Sequence, residues 1–280
     1  MSPEQIAFGE RQHPGAVDRP ANALAGLEGA AATETGCLGC HEIGRPHRDG
    51  SIGRCTECYS RHSTSIALAR EPRTCGQCHM GPDHSQLEIY NESKHGALYA
   101  AQRATLNMSA DPKRLTTADM PVPTCATCHL SGLDGLRVTH DATQRLSYWL
   151  FAPVSERRPS YDRARTEMQE TRLRCHASSS VARFYDEAEA VLAATNERVR
   201  AGEVLMAGLR ADGLLTADPF DEPIEFLYFD FWHYFGRTAK RGAFMGGADF
   251  VQWHGNYELL LKLTELEQMA GELRNHRASH

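Results

Sequence analysis

No run of eighteen or more apolar residues occurs in this chain, so no membrane-spanning helix is predicted. Aromatic residues are sparse at 8%, and mean hydropathy is only −0.48. That is lean for the core of a 280-residue protein. Strand-like alternation is nearly absent, which argues against a sheet-built domain. There is no basic excess either. A net charge of −6 disfavours a nucleic-acid surface. The first twenty residues, MSPEQIAFGERQHPGAVDRP, lack a basic stretch followed by an apolar one, so no secretion signal is visible.

Cysteine, by contrast, is patterned. Three Cys-x-x-Cys-His motifs are present: CLGCH (Cys37, Cys40, His41), CGQCH (Cys75, Cys78, His79) and CATCH (Cys125, Cys128, His129). Each is the attachment signature of a c-type haem. Two thiols add to the haem vinyl groups, and the adjacent histidine supplies the proximal nitrogen. Histidine is 14 of 280 residues, so three histidines after four Cys-x-x-Cys pairs have chance odds of roughly one in 2,000, low even against the false-positive risk of motifs.

Two further sites read as altered copies. CTECY (Cys55, Cys58, Tyr59) carries tyrosine in the histidine position. RLRCH holds Cys175 and His176 but has Arg172 where the first cysteine would stand. At CTECY the iron can take the Tyr59 phenolate, a histidine from elsewhere, or no protein ligand on that side; tyrosine is a haem ligand in catalase. At RLRCH a single thioether through Cys175 leaves His176 under the iron. The expectation is five haems c. Their porphyrin faces would replace the missing side-chain core. A four-cysteine zinc site over Cys37, Cys40, Cys55 and Cys58 leaves His41 and the two later motifs without a role. A disulfide framework fits poorly with an odd cysteine count.

The fold expectation is mostly α: a multihaem cytochrome c with a loop-rich haem-binding region and long C-terminal helices. Residues 1–150 hold four of the attachment sites, and residues 151–280 form a helical region with the fifth. The stretch FAPVSERRPS (Phe151 to Ser160) reads as a linker. Apolar residues recur at helical steps over 161–212, and the block stops at Ala211–Gly213. Further helical blocks run over 223–241 and 248–275.

His41, His79, His129 and His176 are the proximal iron ligands expected from the motifs. Transfer haems in such arrays need a second ligand, and the candidates are His62, His95, His140, His233 and His254. Each has an ordinary reading as a hydrogen-bonded structural histidine.

The run CGQCHMGPDHSQLEIYNESKHG (Cys75 to Gly96) resembles the hydroxylamine oxidoreductase family of multihaem cytochromes. PTCATCH with the later VTHD (Pro123 to Asp141) and GGADFVQWHGNYE (Gly246 to Glu258) are similar to it too, in the same order. The resemblance implies a five-haem core, shared with pentahaem nitrite reductases, without the three N-terminal haems of the usual eight-haem member. It makes CLGCH the catalytic haem, with an open iron face for hydroxylamine or nitrite. Asp83 and His84 then match the distal acid/base pair. From the residues alone, Asp83–His84 reads equally as a capped turn and a distal ligand. Hydroxylamine-oxidising members crosslink the catalytic haem to a tyrosine of a neighbouring subunit. Phe250 stands in the matching segment, with Tyr257 nearby, which brings the chain closer to reductive members.

The resemblance further implies an oligomer, a trimer or a pairing with a multihaem homologue, and a redox protein partner. Bacterial haem c is attached outside the cytoplasm, so a periplasmic or extracytoplasmic location is expected, with a leader already removed. The rival to catalysis is an electron-transfer subunit or structural partner of a complete homologue. Intact-protein mass after expression in a host that matures c-type haem is expected to show five covalent haems. Three would mean that only the intact motifs load.

Overall fold

The computed structural model describes residues 55–60, 62–82 and 84–278. Cys37, Cys40, His41 and Asp83 lie outside the described residues. The described part is helical almost throughout, as the lack of alternation predicts.

Its first half consists of short helices joined by turns: α1 (Ile66–Arg70), α2 (Pro72–Gly76), α3 (Gln86–Glu92), α4 (Lys94–Gln102) and α5 (Cys125–His129). Their starts are written in the sequence. The Ser65 hydroxyl accepts from Leu68 N at 3.3 Å, and Pro72 opens α2 where a missing N–H costs nothing. Ser93 stands between α3 and α4. Its hydroxyl accepts from Gly96 N at 3.2 Å and donates to Tyr90 O at 2.7 Å. A Cβ at Gly96 would lie 1.9 Å from Tyr90 O, so this corner of the Ser-Lys-His-Gly run admits only glycine. Between α4 and α5 the loops close over Leu106, Met108, Leu115, Met120, Val122 and Leu133.

The second half is built on long helices. The single block expected over 161–212 is two helices, α6 (Tyr161–Leu173) and α7 (Ser178–Ala211). They break where RLRCH makes its own turn. At 34 residues, α7 is about 50 Å long. It ends at the expected place, with Gly213 at φ +65°. The two remaining blocks also form: α8 (Pro223–Phe229) with α9 (Arg237–Met245), and α10 (Ala248–Val251) with α11 (Glu258–Ala278). Each pair is joined by a π-helical segment, Asp230–Gly236 and Gln252–Tyr257. The core between them comprises Val199, Met206 and Leu209 of α7, Ile224 of α8, Phe231, and Leu259, Leu266 and Ala270 of α11. Gly255 lets the second π segment touch α9; a Cβ there would stand 2.7 Å from Ala239 Cα.

The expected linker over 151–160 is not one. Strands β1 (Tyr148–Trp149) and β2 (Glu156–Arg157) pair antiparallel around it, Tyr148 opposite Arg157. Ala152 is fully buried. A buried loop must find partners for its backbone groups, and the helices supply them. Asn196 of α7 accepts from Ser155 N and donates to Ser155 O, both at 2.8 Å. Lys240 Nζ donates to Ala152 O, Pro153 O and Ser155 Oγ at 2.8–3.0 Å. Arg237 Nε donates to Phe151 O at 2.8 Å. Proline and arginine density suggested a solvated tether; long-range hydrogen bonds made it an internal strap.

Replacing Asn196 with Ala leaves the Ser155 N–H and C=O unpaired. The expected loss is about 2–4 kcal/mol. Thermal unfolding of the haem-loaded protein checks it. An unchanged midpoint would mean that Asn196 does not hold the strap.

Candidate functional site

All four described attachment sites fold into the same turn. In CGQCH the Cys75 carbonyl accepts from Cys78 N at 3.2 Å and His79 N at 3.0 Å. In CTECY the Cys55 carbonyl accepts from Cys58 N at 3.3 Å and Tyr59 N at 2.9 Å. In RLRCH the Arg172 carbonyl accepts from Cys175 N at 3.0 Å and His176 N at 2.9 Å. CATCH is the single turn of α5, begun by Thr124, whose N–H donates to Thr127 Oγ1 at 3.0 Å. The turn brings its first, fourth and fifth residues to one side, as two thioethers and one axial ligand require. The two altered motifs keep this geometry.

The sites also neighbour one another. The Cys125 thiol hydrogen-bonds to Cys75, which draws the Cys75 thiol below its ordinary value against the effect of burial. The same bond, with burial, raises Cys125. Burial raises Cys58, and Cys75 adds to the shift. Burial also raises Cys175, and Cys128 adds there. The four sites therefore follow one another in space in their sequence order. Cys128 packs beside the cluster of Met168, Val181 and Tyr185, which seats CATCH on α6 and α7.

The candidate histidines divide. His95, at the start of α4, faces His176 with ring centroids 6.0 Å apart at 45°. Two imidazoles on opposite faces of one metal, with metal–nitrogen bonds of about 2 Å, have centroids about 6 Å apart. Burial lowers His95, and His176 and Arg172 reinforce the effect. His129 falls to about 4, chiefly through removal from water, with Arg145, His79 and Arg172 adding; a hydrogen bond with the Ala142 backbone opposes the shift. That bond also orients the ring, as ligand histidines require. His84 lies 6.3 Å from His79 and 5.4 Å from Phe151 between centroids. The His84 N–H donates to Gly81 O at 3.2 Å.

The other candidates sit elsewhere. His62 and His140 are exposed. His233 lies in the first π segment, stacked on Phe229, with its Nε2 2.7 Å from Arg237 Nη1. Arginine can only donate, so His233 Nε2 accepts. His254, in the second π segment, is exposed and lies 3.2 Å from Asp249 Oδ2. Phe250 is buried against it, whereas Tyr257 is exposed beside Trp253.

One group of residues escaped the sequence reading. Among the described residues the buried charges are Arg70, Arg145, Arg158, Arg237, Lys240 and Arg241, against one acid, Glu225. Burial lowers Lys240 well below its ordinary value, and Arg237 and Arg241 add to the shift. Arg70 Nη2, Arg145 Nε, Arg158 Nη2 and Arg172 Nε are buried with no hydrogen-bond partner. Buried cations need anions. The propionates of haem are anions of the right kind, so the donor set fits the group that the motifs imply. A lone arginine carries no sequence signal of burial, which is why these were missed.

Comparison with known proteins agrees with this picture. Residues 9–223 match the family described as seven times multi-haem cytochrome CxxCH. A probable nitrite reductase-hydroxylamine oxidoreductase fusion protein of Kuenenia stuttgartiensis is 34% identical over 127 residues, 44% of this chain. The chain spans 14% of that relative's length. Among solved structures, a hypothetical multiheme protein superposes with TM-score 0.80 at 23% identity, over 90% of this chain and 70% of the other. The Kuenenia stuttgartiensis reducing HAO-like protein complex gives TM-score 0.75 at 20% identity, over 98% of this chain and 70% of the other. These likenesses establish the fold.

Arg145 Nη1 and Nη2 donate to the carbonyls of Cys128, Ser131 and Arg137 at 2.7–2.9 Å. Replacing it with Ala releases the end of the CATCH turn. The expected result is a fall in stability of about 3 kcal/mol and under-loading of Cys125 and Cys128, read by peptide mass spectrometry. Full loading with unchanged stability would remove Arg145 from this role.

Proposed function

This chain belongs to the multihaem CxxCH cytochrome family, and on that premise we propose that it is an extracytoplasmic oxidoreductase for a small nitrogen compound, hydroxylamine or nitrite. When bound, the haems supply one-electron chemistry and, at the CLGCH site, an open iron position for the nitrogen atom. CTECY, CGQCH, CATCH and RLRCH carry the remaining haems as a conducting row. The observation that carries this reading is the row itself: four attachment turns of one geometry, each in electrostatic contact with the next.

In this reading His95 and His176 would supply the two nitrogen ligands of one haem. His84 serves the substrate site rather than an iron in this reading. With Asp83 it delivers or accepts a proton at the substrate as electrons arrive or leave. Phe151 of the strap packs against the His84 ring and would shield that face from water. Buried arginines such as Arg70, Arg145 and Arg158 would pair with haem propionates.

A second reading is favoured by two observations. Two of the attachment motifs are altered, and one structural neighbour is a complex of HAO-like proteins. Here the chain is the electron-transfer subunit of a multihaem partner, or of its own oligomer. The exposed side chains of Trp253, Tyr257, Leu260 and Leu261 on the last helical stretch suit such a contact. No helix among the described residues is long and apolar enough to cross a membrane.

Replacing His84 with Ala separates the two readings. A proton-transfer role predicts a 10²–10⁴-fold loss of turnover, unchanged haem mass and unchanged low-spin signals in electron paramagnetic resonance. Conversion of one low-spin iron to high spin would make His84 a ligand and favour the electron-transfer reading.

A further inference from the structure

CTECY differs from the other attachment sites in the residue at the axial position, yet not in its backbone. The Tyr59 N–H reaches the Cys55 carbonyl at 2.9 Å, and the His79 N–H reaches the Cys75 carbonyl at 3.0 Å. The Cys58 and Cys78 N–H groups make the companion bonds at 3.3 and 3.2 Å. The Tyr59 side chain therefore leaves its turn from the place where His79 leaves its own. We infer that the Tyr59 phenolate is the proximal iron ligand of a haem held by Cys55 and Cys58. The inference rests on the reading that this cysteine pair carries haem.

The surroundings suit an anionic oxygen. Arg70 is 3% exposed, and its Nη1 donates to Met108 O at 2.9 Å. Its Nη2 has no partner. Burial lowers the Arg70 guanidinium, and Asp119, Tyr59 and Asp111 oppose the shift. Tyr59 is only half-buried, which leaves its longer ring room to tilt under a porphyrin. The nearest histidine in sequence, His62, is exposed in a turn closed by the Ser60–Ser63 bridge.

On ligation the phenol O–H bond breaks, the oxygen–iron bond forms and the proton leaves to solvent. The iron keeps its oxidation state. An anionic oxygen ligand stabilises the ferric over the ferrous form, so this haem takes a lower potential than its histidine-ligated neighbours; axial-ligand identity is the lever. Electrons leave it downhill toward the haem of CGQCH, its neighbour through Cys58 and Cys75. The altered motif then gives the row a direction.

The test uses the haem-loaded full chain, with Tyr59→Phe and Tyr59→His variants. Peptide mass spectrometry first locates haem on Cys55 and Cys58. Wild type is expected to show phenolate–iron modes in resonance Raman spectra and one haem titrating below the rest. Tyr59→Phe should keep the haem and lose those modes. Tyr59→His, which restores Cys-x-x-Cys-His, should raise the midpoint of that one haem and leave the others in place. A haem on Cys55 and Cys58 with a spectrum indifferent to Tyr59→Phe overturns the inference and leaves the five-haem reading standing. A peptide without haem overturns both.

Discussion

Among the described residues, six buried basic side chains against one buried acid set the constraint on which the structure depends. Charge in a dry interior is tolerated only when something answers it. Part of the answer is internal. Lys240 spends its three donors on the strap over 151–155, Arg237 holds Phe151 O, and Arg145 gathers three carbonyls behind CATCH. Carbonyl dipoles solvate a cation without neutralising it. Acids such as Asp119, Glu167, Asp141 and Glu203 act on some of these groups, and haem, with two carboxylates per porphyrin, would supply further anions. The composition points the same way. A chain with low mean hydropathy and few aromatic residues builds an interior by leaving space for cofactors.

The helices act as a frame for that interior. The long α7 runs behind the strap and anchors it through Asn196, and its own start is set by the RLRCH turn. The two π-helical segments each hold a Trp-His pair, at Trp232–His233 and Trp253–His254. Segments of this type interrupt regular helices and are frequent at functional sites. They let α9 bring Arg237, Lys240 and Arg241 to one face while the chain reverses into α11. The short helices of the first half have little core of their own. Their packing, around Leu115, Met120 and Leu133, is local, and the attachment turns lie at its edges, where porphyrins would complete it.

Much of the site was legible before any coordinates. The Cys-x-x-Cys-His signature is local: five consecutive residues carry both the covalent chemistry and the turn that presents it. For that reason even the altered copies, CTECY and RLRCH, were recognisable, and both retain the turn. The pairing of His95 with His176 was half visible. Each histidine stood out in its own stretch, yet nothing in the sequence joined residues eighty positions apart. The strap over 151–160 was misread because proline and arginine speak for solvent until a buried asparagine and lysine claim their backbone.

The sequence by itself determined the helical class, the Cys-x-x-Cys-His motifs and the family resemblance, because all three depend on spacing over a few residues. Tertiary structure alone decided which sites are neighbours, which histidines face each other and which cations are buried. Those are matters of long-range packing and desolvation. A guanidinium in the sequence is the same chemical group wherever it stands, and only the fold determines whether water or a buried anion will meet it.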